Sequence, residues 1–199
     1  EPFMSTIFTI SSHSPYDFPG EHKLSFNSKE DKYVNSVAYT DKCLGDFIGS
    51  VKQEDWYANT LFIIVADHSH NSPMKRRVAQ KEKFHIPMLW FGDVLKNEFK
   101  GSSWSKVSSH IDISPTILKQ LGIKQPSEFY GVDALNFIHK GFVPYSFIRG
   151  YGMIRKNSNY AYSINYKKPL EEKYEDDSDL IIKESEIFMQ YSFQKYLNY

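Results

Sequence analysis

The sequence holds a single cysteine, Cys43, among its 199 residues. That excludes an intrachain disulfide and any multi-cysteine metal knuckle, and it leaves the redox compartment open. Neither sign of charge is in excess, since 24 lysines and arginines balance 24 aspartates and glutamates. No nucleic-acid partner and no general attraction to an anionic membrane is therefore expected, although a local anion site stays open. No apolar run approaches the roughly 20 residues needed to span a bilayer, and no signal-peptide pattern is recognised. Internal repeats and low-complexity segments are also missing.

What is present suits a folded α/β domain, for which 199 residues give a substantial core. Aromatic residues are unusually frequent, with 15 phenylalanines and 14 tyrosines. The chain opens on Glu1-Pro2 and runs at once into F-M-S-T-I-F-T-I, whose composition predicts a strand over residues 3–10. So abrupt a start is expected of an excised part of a longer protein at least as readily as of a small complete one.

The stretch at 60–70, T-L-F-I-I-V-A-D-H-S-H, stands out. Five apolar residues from Leu61 to Val65 read as a strand buried on both faces, as in a parallel sheet. Asp67 and His68 follow where that strand should emerge, and ligands collect at the carboxyl ends of strands in open α/β sheets. Carboxylate oxygen and neutral imidazole nitrogen suit zinc or manganese. On an extended strand adjacent side chains point to opposite faces, so the pair can share a metal only if the chain turns there. Two ligands alone do not make a site.

The S-S-H-S-P-Y-D-F-P-G loop at 11–20 carries His13 just past the first predicted strand. A surface imidazole is the plain alternative there. From 31 to 52, Tyr33, Val37, Leu44, Phe47, Ile48 and Val51 recur at helical spacing, with Cys43 beside the stripe as a small packing residue. Residues 69–83 form a polar excursion that includes Lys75, Arg76 and Arg77. It reads either as solvated charge or as a mobile cover whose cations meet an anionic substrate. Residues 84–91, F-H-I-P-M-L-W-F, predict a further strand, with His85 at its opening and Pro87 confined to its start or a bulge.

A helix is predicted from Ser114 as cap, through Pro115, Ile117 and Leu118, to a left-handed end at Gly122. Asp112, just before it, is first a structural carboxylate. Residues 145–154 and 160–164 predict antiparallel strands around R-K-N-S-N. An acidic run at 171–179 leads to a final helix over about 183–196, with Ile187, Tyr191 and Phe188 on its apolar side. His70 and His110 are weaker site candidates, and His22 and His139 have nothing to support a role.

The motifs S-S-H-S-P-Y-D-F-P, K-Y-V-N-S-V-A-Y-T-D-K-C-L-G-D-F, Y-A-N-T-L-F-I-I-V-A-D-H-S-H, F-H-I-P-M-L-W-F-G and H-I-D-I-S-P-T-I-L-K-Q-L-G-I occur here in one order. In that order the sequence resembles the carboxy-terminal part of a lipoteichoic-acid-synthase-like member of the sulfatase and alkaline phosphatase superfamily. The resemblance implies a partial three-layer α/β/α sandwich of the alkaline phosphatase type. Its central sheet would be mostly parallel over residues 1–140, with antiparallel strands and a terminal helix over 141–199. It implies one divalent metal, manganese or zinc, held by Asp67 and His68 together with an early glutamate and a threonine nucleophile, neither of which this chain contains. His13 matches the family's substrate-side histidine, and His85 resembles an additional active-site histidine of some lipid-A phosphoethanolamine transferases.

The expected parent is a phosphoryl-group transferase or phosphate-ester hydrolase acting on a glycerophosphate or phosphoethanolamine type of anionic, lipid-linked substrate. It would be anchored in the cell membrane through an amino-terminal region outside this chain, its catalytic domain facing the periplasm or the exterior. The isolated chain would bind metal poorly, turn over little and tend to self-associate through apolar surface. Two other readings stand beside this one. The parent could be a sulfatase, since a formylglycine-forming C-x-P-x-R segment would also lie upstream. The chain could instead be a noncatalytic α/β module that binds a polymer or partner through its aromatic surface.

Overall fold

The computed structural model describes residues 2–21, 23–25, 28–71, 74–124, 126, 130–175 and 178–198. His22, Ser72 and Pro73 of the polar excursion, and Asp176 and Asp177 of the acidic run, lie outside them. The chain divides into two compact units.

The first unit comprises residues 1–65, 72–74 and 88–100. Its helix α1 spans Lys29–Val51, two residues earlier at its start than the apolar pattern indicates. Ser28 accepts the Asp31 N–H while the Asp31 carboxylate accepts the Ser28 N–H, a reciprocal cap that fixes the start. The buried face of α1 differs from the predicted stripe. Asn35 and Ser36 are buried while Val37 and Phe47 are exposed, and Cys43 is exposed rather than packed. Asn35 can be buried because its side chain accepts from the Lys23 and Leu24 N–H groups, both at 2.9 Å. Tyr16 packs edge-on to Tyr33, and Phe18 stacks on Tyr39, so the 11–20 loop lies along the helix.

In the same unit β1 (Phe62–Val65) pairs with β2 (Met88–Phe91), antiparallel, with Phe62 opposite Phe91 and their rings stacked 5.1 Å apart. Pro87 immediately precedes β2, where its missing N–H costs no ladder bond. The mostly parallel central sheet is not observed: every strand pair among the described residues is antiparallel. A parallel return needs a crossover, usually a helix, and among the described residues between β1 and β2 the helical structure is a single 3₁₀ turn, Lys81–Phe84. Accordingly β1 is half-buried along its length instead of buried on both faces. Residues 3–10 form no strand. Among the described residues they pair with nothing in a ladder, and Phe3, Met4, Ile7, Phe8 and Ile10 are all exposed.

The second unit comprises residues 66–71, 75–87 and 101–199. It is built on a four-stranded antiparallel meander of β3 (Val143–Phe147), β4 (Gly150–Ile154), β5 (Asn159–Ser163) and β6 (Lys168–Lys173). The predicted strand over 145–154 is thus two strands folded on a turn at 148–149. Side chains alternate across the sheet. On one face Met153 and Tyr160 pack with Ile181, Ile182 and Phe188 of the terminal helix α3 (Ser178–Leu197). Ile187, assigned to the apolar side by sequence, is exposed.

On the other face Tyr145 and Phe147 lie opposite Gly152 and Gly150. A β-carbon at Gly152 would come within 2.4 Å of the Tyr145 ring, so the glycines leave room for the aromatic rings. That face also holds the excursion. Ala79 is only 2% exposed, its carbonyl accepts the Tyr145 hydroxyl at 2.9 Å, Phe84 packs on the Tyr145 ring, and Arg77 pairs with Glu171 at 2.8 Å.

This sheet predicts an alkaline limit to stability. Burial, with nearby acidic neighbours, pushes Tyr160 up to about 12, and burial likewise raises Tyr145 and Tyr174 above the ordinary tyrosine range. A folded pKa above the unfolded one gives stability that is complete below about pH 10 and lost as pH rises through the folded value. Ultraviolet absorbance should show these phenols ionising late and together with loss of near-ultraviolet dichroism. Ionisation of every tyrosine near pH 10 with the dichroism intact would contradict this packing.

Candidate functional site

Beyond the end of β1 the chain bends at Asp67 and His68, as a shared ligand role requires. The Asp67 Oδ1 accepts the His68 N–H at 2.8 Å, which turns Oδ2 towards the imidazole. His68 Nδ1 donates to the Ser69 carbonyl at 2.9 Å, so in the neutral ring Nε2 keeps its lone pair. That Nε2 stands 3.4 Å from Asp67 Oδ2. Two donors each about 2.0–2.1 Å from a tetrahedral metal are roughly 3.3 Å apart, so oxygen and nitrogen already stand at ligand spacing. Both side chains are open to solvent, Asp67 at 71% and His68 at 75% exposure.

The donor set thus suits zinc or manganese in kind and in spacing, and it would supply two ligands. Among the described residues no group of three or more histidine, cysteine, aspartate or glutamate side chains gathers around a common point.

The bend is tethered on both sides. Upstream, His110 Nε2 donates to the Ala66 carbonyl at 2.7 Å. Downstream, Ser69 Oγ donates to the Lys83 carbonyl, joining the segment to the 3₁₀ turn that ends one residue before His85. His85 is exposed in the same unit as Asp67 and His68. His13 belongs to the first unit, where it is exposed in a turn and its Nδ1 donates to the Ser14 carbonyl at 2.8 Å. Of the basic residues in the excursion, Arg77 is engaged by Glu171, while Lys75 is exposed and Arg76 half-exposed.

His110 and its surroundings were the part least visible in sequence. It begins a 3₁₀ turn, His110–Asp112, that leads directly into α2 (Ile113–Gln120). Ser109, rather than Ser114, caps this end. Its hydroxyl accepts from the turn while its N–H donates to Asp112 Oδ2 at 2.9 Å. Asp112 Oδ1 accepts the Val132 N–H at 2.8 Å. Thr116 donates to the Asp112 carbonyl at 2.6 Å and accepts the Ala134 N–H at 2.8 Å. The same 131–136 loop is gathered by Lys106, whose ammonium donates to the carbonyls of Asp133, Ala134 and Asn136. Burial lowers the Lys106 pKa, opposed by Asp112 and Asp133. At the far end of α2, Gly122 takes φ +70° and Ile123 N–H returns to the Leu118 carbonyl, the left-handed termination expected there.

Residues 1–123 match the family model described as Sulfatase. The sequence is 24% identical over 210 residues to the lipoteichoic acid synthase-like protein YvgJ of Bacillus subtilis, covering 92% of this chain and 32% of that protein. It is 25% identical over 162 residues to the lipoteichoic acid synthase of Staphylococcus aureus strain USA300, covering 72% and 24%. In fold it is similar to an alkaline phosphatase superfamily protein of Vibrio parahaemolyticus, with a TM-score of 0.72 at 22% identity over 95% of this chain and 48% of that one. It is also similar to the lipoteichoic acid synthase LtaP of Listeria monocytogenes, with a TM-score of 0.71 at 22% identity over 96% and 52%. The chain therefore spans about a third or less of these curated relatives and about half of the two solved chains. The superfamily expected from the motifs is shown. Its α/β fold is present here with small antiparallel sheets, not with the mostly parallel sheet.

Proposed function

The chain belongs to the sulfatase family, and from that premise we propose that it is part of a metal-dependent phosphoryl-group transferase or phosphate-ester hydrolase. The observation that carries this reading is the 3.4 Å approach of Asp67 Oδ2 to His68 Nε2 on a bend tethered at both ends. Asp67 and His68 would hold one manganese or zinc ion, the remaining ligands coming from outside this chain. When bound, that ion supplies positive charge that lowers the pKa of a threonine nucleophile, also outside this chain, and neutralises the transferring group.

The chain's own residues have distinct tasks. Ser69 holds the His68 proton on Nδ1, which keeps Nε2 available as a ligand. The Ser14 carbonyl likewise accepts from His13 Nδ1–H, so in the neutral ring Nε2 is an acceptor and only the imidazolium form would donate from Nε2 to a substrate oxygen. His85, Lys75 and Arg76 would add positive or hydrogen-bonding groups for an anionic, lipid-linked glycerophosphate or phosphoethanolamine substrate.

The family description favours a second reading, hydrolysis of a sulfate ester by the same residues. Among the described residues no helix is long and apolar enough to cross a membrane. Placement of the catalytic domain outside the cell, with an anchor elsewhere in the protein, rests on the similarity to lipoteichoic acid synthases. Self-association of the chain alone is supported by the exposed apolar residues between Phe3 and Ile10.

The test uses the full-length natural protein with Asp67→Asn and His68→Ala. Calorimetric titration with manganese and zinc should show affinity falling by about 100-fold or more. Transfer or hydrolysis of a lipid-linked phosphoester should fall by about a thousandfold. Unchanged metal affinity in both variants would refute the site. Turnover of a sulfate ester with no turnover of the phosphoester would select the second reading.

A further inference from the structure

We propose that His110 is a positioning residue for Asp67 and His68, fixing the backbone that carries the pair. The inference rests on the metal-site reading above and adds a residue to it. Asp67 and His68 are largely exposed, so packing does not hold them. Their orientation depends on the backbone that carries them. His110 Nε2 donates to the Ala66 carbonyl at 2.7 Å across 44 residues of sequence. Because the peptide is planar, a fixed Ala66 carbonyl also fixes the Asp67 N–H, and with it the path of the Asp67 side chain.

A clamp is only as firm as its mounting, and the base of His110 is held in three ways. Asp112 joins Ser109 to Val132 through its two carboxylate oxygens. Thr116 joins the Asp112 carbonyl to Ala134. The backbone at Gly131 lies against the Ile111 carbonyl so closely that no β-carbon fits between them. The 3₁₀ turn of His110 therefore cannot slide along the 131–134 loop without breaking the Asp112–Val132 and Thr116–Ala134 hydrogen bonds. With the Ser69–Lys83 bond on the other side, the two exposed ligands are bracketed by backbone fixed from both directions. A ligand pair held in advance loses less freedom when the ion arrives, so the contribution should appear in affinity. The plain alternative, an exposed histidine that merely meets a nearby carbonyl, predicts no effect on the metal.

The experiment compares His110→Ala and His110→Gln in the full-length natural protein, with Asp67→Asn as the reference. Manganese affinity is measured by calorimetric titration, and thermal melting is measured alongside. His110→Ala should weaken manganese binding by roughly tenfold. His110→Gln, whose amide N–H can reach the same carbonyl, should restore affinity to within about threefold. Parental affinity in His110→Ala, with binding lost in Asp67→Asn, would overturn the positioning role and leave the metal site standing. Equal losses in both His110 variants with equally lowered melting would show a purely structural histidine and would also overturn it. Unaltered binding in Asp67→Asn would refute the metal site and take this inference with it.

Discussion

Gly131→Ala should unfold the second unit or leave it severely destabilised. The added β-carbon would lie 1.9 Å from the Ile111 carbonyl oxygen, 2.4 Å from its carbon and 2.9 Å from the Asp112 nitrogen. All three are backbone atoms, so no side chain can rotate away to relieve the clash. Relief requires the 131–134 loop to withdraw from the turn that precedes α2. That withdrawal breaks the Asp112–Val132 and Thr116–Ala134 hydrogen bonds. Loss of two partly buried hydrogen bonds together with backbone overlap should cost more than about 4 kcal/mol. In thermal melts this corresponds to a fall of roughly 10 °C or more. A fall of less than about 2 °C would show that the two segments do not approach as described.

Asp112→Ala should destabilise nearly as much, by about 3–5 kcal/mol, for a different reason. The residue is 1% exposed, and its two oxygens satisfy the N–H groups of Ser109 and Val132. Removing the carboxylate leaves both N–H donors without their acceptor beside a buried side chain. Asp112→Asn should cost roughly half as much, because one acceptor remains while the amide N–H faces a backbone N–H.

The two variants also separate by pH. Burial pushes the Asp112 carboxyl above the usual carboxylate range, opposed by the Val132 and Ser109 N–H groups and by Lys106. The folded protein thus holds this proton more tightly than the unfolded chain. The contribution to stability is greatest below the unfolded pKa, near 4, and declines as pH rises through the folded value, opposite to an ion-paired aspartate. Urea unfolding from about pH 4 to about pH 7 should show this slope in the parent and lose it in Asp112→Asn. An unchanged slope would mean that Asp112 ionises as it would in water.

Some of this could be read directly from residues. The presence of helix α1, the Gly122 terminus and the place of Pro87 follow from local chemistry that the sequence displays. The buried face of α1 departs from its apolar stripe, and the end of the apolar run allows a turn at Asp67 and His68 without requiring one. Strand direction did not follow, because an apolar run such as Leu61 to Val65 records burial and not the sense of its neighbour. Residues 3–10 have strand composition, but that composition describes a surface to be packed, and among the described residues no strand pairs with it.

The docking of the excursion was also hidden. A single buried alanine among lysines and arginines creates no periodic signal, yet Ala79 is where Tyr145 holds the segment. The Asp67–His68 pair was visible as adjacent letters, while the His110 clamp depends on a 44-residue separation that only the folded chain closes.

The Ala79–Tyr145 bond has a consequence for how the protein is made. Its partners are 66 residues apart, and Arg77 must wait longer still for Glu171 in β6. At about 5–20 residues per second, Ala79 is polymerised roughly 3–13 seconds before Tyr145. Neither the fold of the excursion nor the final setting of His85 beside it can be completed during its own synthesis. The last quarter of the chain therefore governs when the middle matures, and a nascent chain stalled before β3 would present the excursion undocked.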